Sequence, residues 1–212
     1  MELYQKKFQA MGTECEIQLF TKNRSLAKKT AQLVISDVRR LEARYTRYRS
    51  NSYLSKINRV AAVGGKISVD LETASLLDYA TTCFNQSEGL FDISSGILRK
   101  AWRFDKGELP DQSHIDSLLL HVGWEKVHWK SPVLEFKVPG LELDFGGIVK
   151  EYAVDRTAAL CVSAGVKHGL INLGGDIKVI GPRVDGSAWK VGISNPVNKG
   201  SVLQTISLTT GG

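Results

Sequence analysis

Apolar and polar residues alternate through positions 4–20, which predicts a strand interrupted at Met11-Gly12-Thr13. The spacing then changes to threes and fours. Leu26, Leu33, Val34, Val38 and Leu41 form the stripe of a helix running to about Tyr45, with Ser25 as its cap. TRYRSNSYLSKIN, which follows, is polar and aromatic and reads as a loop with a short helical piece. Residues 72–86 read as a second helix ended by Gly89, and DQSHIDSLLLHVGW as a compact one capped by Asp111 or Ser113, with Gly123 just past its end. VHWKSPVLEFKVPGLELDF supplies strands with Pro and Gly turns. Leu141, Leu143 and Phe145 then alternate as a half-buried strand, while Ile148, Val149, Tyr152, Ala153 and Ala159 recur at helical spacing, to about Ala164. HGLINLGGDIKVIGP and WKVGISNP read as strand, glycine turn, strand. Helices alternate with hairpin-like strands, so the expected class is mixed α/β in one domain, residues 1–212.

Composition adds little to this picture: 42% hydrophobic and 24% charged residues describe an ordinary globular chain. Charge adds more. Residues 22–49 hold nine Lys or Arg against Asp37 and Glu42, a local +7 in a chain whose net charge is +6. Such an excess is a solvated helix face or an attractor of anions. With no zinc spacing or nucleic-acid signature beside it, nucleic acid is not an expected partner. Three dispersed cysteines, Cys15, Cys83 and Cys161, argue for buried free thiols. No apolar run reaches membrane-spanning length, and the first residues lack the apolar core of a signal peptide. A cytoplasmic location follows if Met1 is the native start, and a periplasmic or membrane-tethered one if a leader was trimmed. ISLTTGG ends a strand on a glycine pair, which suggests a sequence cut from a longer protein.

Four stretches carry candidate chemistry. In ELDFGGIVKEYAVDR the strand-to-helix junction sets Asp144 and Lys150 on either side of Gly146-Gly147. Free N–H groups and the helix dipole there suit a phosphate. Asp144 with a backbone carbonyl suits magnesium, and Lys150 could neutralise phosphate charge. A plain strand-to-helix turn with a surface lysine fits the same residues. NLGGD, 172–176, is either an anion-binding nest or an ordinary hairpin turn. GLFDISSG, 89–96, places Phe91 and Asp92 before two hydroxyls, where Asp92 could simply cap the next turn. RYTRYRSNSYLSKIN sets Tyr45, Tyr48 and Tyr53 among arginines, suited to a flat heterocycle plus phosphate or to surface packing. The four histidines have no metal spacing.

Taken in order, MGTECEI, RYTRYRSNSYLSKIN, GLFDISSGILRKAW, ELDFGGIVKEYAVDR, INLGGDIKV and WKVGISNP closely resemble the ApbE-like FAD:protein FMN transferase family. The resemblance covers nearly the whole chain. It implies a mixed α/β, T-fold-related domain of largely antiparallel sheets with packed helices. It also implies magnesium-dependent transfer of the FMN moiety of FAD to a Thr or Ser hydroxyl of an acceptor flavoprotein subunit, with release of AMP. Some members mainly hydrolyse FAD to FMN and AMP, and a flavin-binding protein without catalysis is a further alternative. Carried over by position, the family's FAD contacts fall on Met11, Tyr48, Leu90, Phe91, Asp92, Asp144 and Lys150, and Gly147 matches a backbone oxygen that helps hold Mg2+. Asp144 and Lys150 are the supporting catalytic candidates. Two departures stand out. Glu151 replaces a usual Gly, and the family's A-T-S-G segment, His-x-Ile-Asp-Pro-x-Thr-Gly motif and late Asp/Thr pair do not occur, so the C-terminal part of the domain is expected to be missing.

Overall fold

The computed structural model describes residues 1–102, 107, 109–198 and 200–212. The chain forms two compact units, Met1–Glu42 with Lys150–Gly212, and Ala43–Val149.

In the first unit, the interruption expected at Met11-Gly12-Thr13 is a chain reversal, so that the single interrupted strand of the sequence pattern is a hairpin of β1 (Glu2–Ala10) and β2 (Thr13–Thr21). Together with β6 (His168–Leu173) and β7 (Asp176–Ile180) they build an antiparallel sheet of order β1-β2-β6-β7. Register assigns the two faces. Cys15 lies opposite Leu173 and Ile17 opposite Ile171, all four fully buried on one face. Lys178 and Asp176 share that face and pair with Asp155 and Lys150 of α5 (Val149–Ser163), so α5 lies over it. Arg156 of α5 in turn reaches Asp37 of α1 (Arg24–Tyr45) at 2.6 Å. The opposite face carries Leu170, Val179 and Phe20 against Trp189 of β8 (Trp189–Ser194), which pairs with β9 (Val202–Leu208).

α1 differs in detail from its predicted pattern. Asn23, not Ser25, is the cap: its Oδ1 accepts from the N–H groups of Ser25 and Leu26 at 2.9 and 3.1 Å. Leu33 is 57% exposed, and the buried stripe runs instead through Ala27, Ala31, Val34, Ile35, Val38 and Leu41. Small residues carry the inward face, and a hydropathy pattern underweights them.

The second unit contains α2 (Tyr53–Val63), α3 (Leu71–Gln86), α4 (Gln112–Leu119) and a β3-β5-β4 sheet of Gly65–Ser68, Val133–Phe136 and Val127–Lys130. The sheet is antiparallel throughout. Trp129 on the Val127–Lys130 strand and Trp124 in the turn just before it bond to α3 through their indole N–H groups, to Asp78 and Thr81 at 2.6 and 3.0 Å. Ile97, Ala101 and Leu118 form a smaller cluster under α4.

The predicted strand at 141–145 is not a strand. Leu141, Leu143 and Phe145 are buried in alternation, but the segment makes only one bridge, between Ser95 and Glu142. Its other hydrogen bonds go elsewhere. Asp144 N–H donates to the Ile93 carbonyl at 2.8 Å, and the Leu143 peptide pairs with the side chain of Asn58. Alternating burial was legible, whereas a side chain, that of Asn58, takes the place of a neighbouring strand at Leu143.

Among the described residues no helix is long and apolar enough to cross a membrane. All three cysteines are free, Cys15 and Cys161 buried.

Candidate functional site

Tyr48, Leu90, Phe91, Asp92, Asp144 and Gly147 belong to the second unit, Met11 and Lys150 to the first.

In the second unit the geometry begins with the loop 46–52. Ser52 caps α2, its Oγ accepting the Ser55 N–H at 3.0 Å and donating to the Thr46 carbonyl at 2.6 Å. Ser55 Oγ donates to the Arg49 carbonyl at 2.8 Å, and Arg59 reaches the Ser50 carbonyl at 2.7 Å. A polar loop is thus stapled by serine hydroxyls and an arginine to the helix that follows it. On this loop Arg47 makes an ion pair with Asp144 through Nη1. Its Nη2 donates to the Tyr48 hydroxyl at 3.1 Å, and its Cζ lies 5.1 Å from that ring's centre. Tyr48 is 83% exposed. Tyr45, by contrast, is buried with its hydroxyl 2.9 Å from Thr73 Oγ1, and Arg44 covers the Tyr53 ring at 4.2 Å. Only one of the three tyrosines therefore offers an open face.

Asp144 is held on both oxygens. Oδ2 takes Arg47, and Oδ1 accepts the Gly146 N–H at 2.9 Å. Burial works against the Arg47 charge, but the Tyr48 hydroxyl and the Asp144 carboxylate outweigh it and raise its pKa above the usual arginine value. Gly147 is exposed, and a Cβ there would stand 3.0 Å from the Phe91 ring, a tight contact that the ring would have to yield to by a few tenths of an ångström. Phe91 is half-buried and Leu90 is 93% exposed. The carboxylate of Asp92 accepts the N–H groups of Ser94 and Trp124 at 2.7 and 3.0 Å, the turn-capping role open to it from the start. Sequence reasoning named Asp144 and Tyr48 but not Arg47, which joins them. No spacing in the sequence links it to Asp144, 97 positions away, and the one local signal is that Arg47 adjoins Tyr48.

In the first unit, Met11 sits at the β1–β2 turn with φ 52°, and its N–H donates to Glu42 of α1 at 2.7 Å. Lys150 Nζ lies 3.2 Å from Asp176 Oδ2, an oxygen sealed from solvent that has no hydrogen-bond partner. The contact is one of charge, with the ammonium out of line for a hydrogen bond. Glu151 is exposed in the first turn of α5, so the carboxylate that departs from the family pattern faces solvent. NLGGD is a hairpin turn between β6 and β7. The Gly175 N–H is taken by Asn172 Oδ1 at 2.8 Å, which removes a donor that an anion nest would need. His121 and His168 lie against the backbone carbonyls of Pro139 and Pro182, and no three His, Cys, Asp or Glu side chains gather into a metal cluster among the described residues.

The sequence matches the ApbE family over residues 11–212. The chain belongs to the ApbE family. Relatives named FAD:protein FMN transferase include those of Treponema pallidum, 26% identical over 93% of this chain and 59% of that protein, and Vibrio cholerae, 27% identical over 92% and 60%. The one from Haemophilus influenzae is 22% identical over 82% and 53%. The chain thus spans little more than half the length of these curated relatives. In structure it is similar to the ApbE protein of Thermotoga maritima, TM-score 0.89 at 25% identity, covering 99% of this chain and 68% of that one. The flavin transferase ApbE from Vibrio cholerae gives TM-score 0.82 at 21% identity, covering 98% and 68%. The ApbE fold therefore extends over the mixed α/β, antiparallel architecture described above.

Proposed function

We propose that this chain carries the flavin-handling part of an FAD:protein FMN transferase. The observation that carries this reading is the Arg47–Asp144 pair beside the open Tyr48 ring, in a chain of the ApbE family whose relatives bear that name. An exposed aromatic face suits a flat ring system, and a guanidinium next to it suits phosphate oxygens. Lys150, in the first turn of α5, adds positive charge where a helix dipole already favours an anion.

Magnesium fits the donors in one way. Asp144 and the Gly147 carbonyl would hold it, with the ion taking up remaining lone pairs of a carboxylate whose oxygens already meet Arg47 and the Gly146 N–H. This ion commonly takes one or two carboxylates, with substrate phosphates and water completing its shell. When bound, it would polarise the pyrophosphate of FAD and offset charge on the departing AMP. Asp144 holds its orientation through Gly146 and Arg47. The acceptor's Thr or Ser oxygen forms a bond to the FMN phosphorus as the bond to AMP breaks, and the hydroxyl proton passes to a general base. Leu90, Phe91 and Asp92, all in the second unit, are assigned to the flavin and its linker by the same reading.

The test is incubation with FAD, Mg2+ and a Thr-bearing acceptor. Acid-stable flavin on the acceptor with stoichiometric AMP supports transfer, and AMP released equally without acceptor marks a pyrophosphatase instead. FAD bound without AMP release under any metal condition would leave a binding protein.

A further inference from the structure

We propose that Arg47 is a positioning residue for the flavin dinucleotide, bridging Asp144 and the Tyr48 ring into one preformed unit. This rests on the flavin reading above and adds a residue to it. One planar guanidinium serves both partners, Nη1 on the Asp144 carboxylate and Nη2 on the Tyr48 hydroxyl at 3.1 Å. The fork geometry allows this, and a lysine ammonium on its single stem does not reproduce it. The need is visible in the exposure. Tyr48 is 83% exposed, so little protein surface is left to fix its ring, and a ligand stacking on it would have to immobilise it. Arg47 does so beforehand, and is itself only 26% exposed, held between Asp144 and the stapled loop 46–52. Asp144 is equally constrained, since its other oxygen is tied to Gly146 and its N–H to Ile93. A rigid anchor therefore reaches through Arg47 to an otherwise free aromatic face.

The experiment is FAD titration, read by quenching of flavin fluorescence, on wild type, Arg47→Ala, Arg47→Lys, Tyr48→Phe and the Arg47→Ala/Tyr48→Phe double variant, each with its thermal midpoint. Arg47→Ala should weaken FAD binding about tenfold, the scale of one rotamer-rich side chain left to be ordered. Arg47→Lys should recover little of it. Tyr48→Phe keeps the ring and loses only the hydroxyl, so it should show part of the loss. In the double variant that part should vanish, because the hydroxyl acts through Arg47. A general structural role would instead give losses that multiply and track the thermal midpoint. Multiplying losses, or unchanged affinity in Arg47→Ala, would overturn the inference. If Arg47→Ala folds poorly, Tyr48→Phe measured in the wild-type and Arg47→Lys backgrounds decides by the same rule. A wild-type chain that does not bind FAD overturns the flavin reading, and this inference with it, before any variant is compared.

Discussion

The side-chain amide of Asn58 hydrogen-bonds both sides of the Leu143 peptide, Nδ2 to its carbonyl at 2.9 Å and Oδ1 from its N–H at 2.8 Å. A carboxamide presents the same donor and acceptor as a strand backbone, so one residue of α2 does for Leu143 what an adjacent strand would do. Leu143 is fully buried, and its two polar groups have no access to water without that amide. Asn58→Ala should therefore destabilise the fold by roughly 2–4 kcal/mol, two buried groups left unpaired. Asn58→Asp should be nearly as damaging at pH 7, because it retains the acceptor and sets a second oxygen against the Leu143 carbonyl. Urea unfolding midpoints check both. A shift within experimental error for Asn58→Ala would show that the segment before Asp144 is held by packing alone.

Period and punctuation were enough to read α3 and the β6–β7 hairpin, and to place the break at Gly12 though not the reversal of the chain there, because Gly12 and the Gly174-Gly175 turn separate runs of alternating residues. The stripe of α1 was misread at Leu33 because Ala27 and Ala31 do the packing. The segment 141–145 was misread as a strand because alternation reports which faces are buried, not what satisfies the backbone. At the candidate site, local pattern pointed to Asp144 and the Gly146-Gly147 pair and offered Tyr45, Tyr48 and Tyr53 alike, and it was the family resemblance that singled out Tyr48. Arg47 was not legible, since its partner lies 97 positions away and no spacing links the two.

Gly96 makes a further expectation specific. A Cβ at this position would stand 2.8 Å from the Glu142 carbonyl oxygen and 3.0 and 3.1 Å from Asp144 Cβ and N. Two of those atoms are backbone, so the 142–144 segment itself would have to move. Gly96→Ala should cost about 1–3 kcal/mol by overpacking. The same displacement carries Asp144 away from Arg47, so FAD binding should weaken more than the stability loss accounts for. Titration at a temperature where the variant remains folded separates the two effects. Normal affinity in a destabilised variant would mean that Asp144 tolerates the shift.

Thiol reactivity reads out both units. Burial pushes the Cys161 thiol up to about 12 and raises that of Cys15, whereas Cys83 on α3 is half-buried. The thiolate is the reacting species, so in native protein near pH 8 an aromatic disulfide reagent should show one fast phase, from Cys83. Cys83→Ser should remove it, and the other two thiols should react only on unfolding. A second fast phase in the native protein would mean that one of the two buried sites opens locally.

Acid stability turns on Asp70, the cap of α3, whose Oδ1 accepts the Thr73 N–H at 3.0 Å and whose Oδ2 meets Arg44. Burial opposes the charge, but the Thr73 hydrogen bonds and Arg44 prevail and lower its pKa from the usual 3.8. A folded-state pKa below the unfolded one gives stability that is present above the unfolded value and lost as pH falls through the folded one. The window is therefore below about pH 4. Half of the Asp70 side chain is open to solvent, so the ion pair itself adds little beyond the cap. Asp70→Ala should cost about 1 kcal/mol at pH 7, the ordinary value of a lost cap. That difference should start to shrink as pH falls below about 4, where the unfolded chain's carboxyl takes up its proton before the folded one does. Asp70→Asn keeps an acceptor for Thr73 and should lose less at pH 7 than Asp70→Ala, with a flatter dependence on pH. Urea midpoints at pH 7 and below about pH 4 check this, and a wild-type advantage over Asp70→Ala that is the same at both would show that the cap works without its charge.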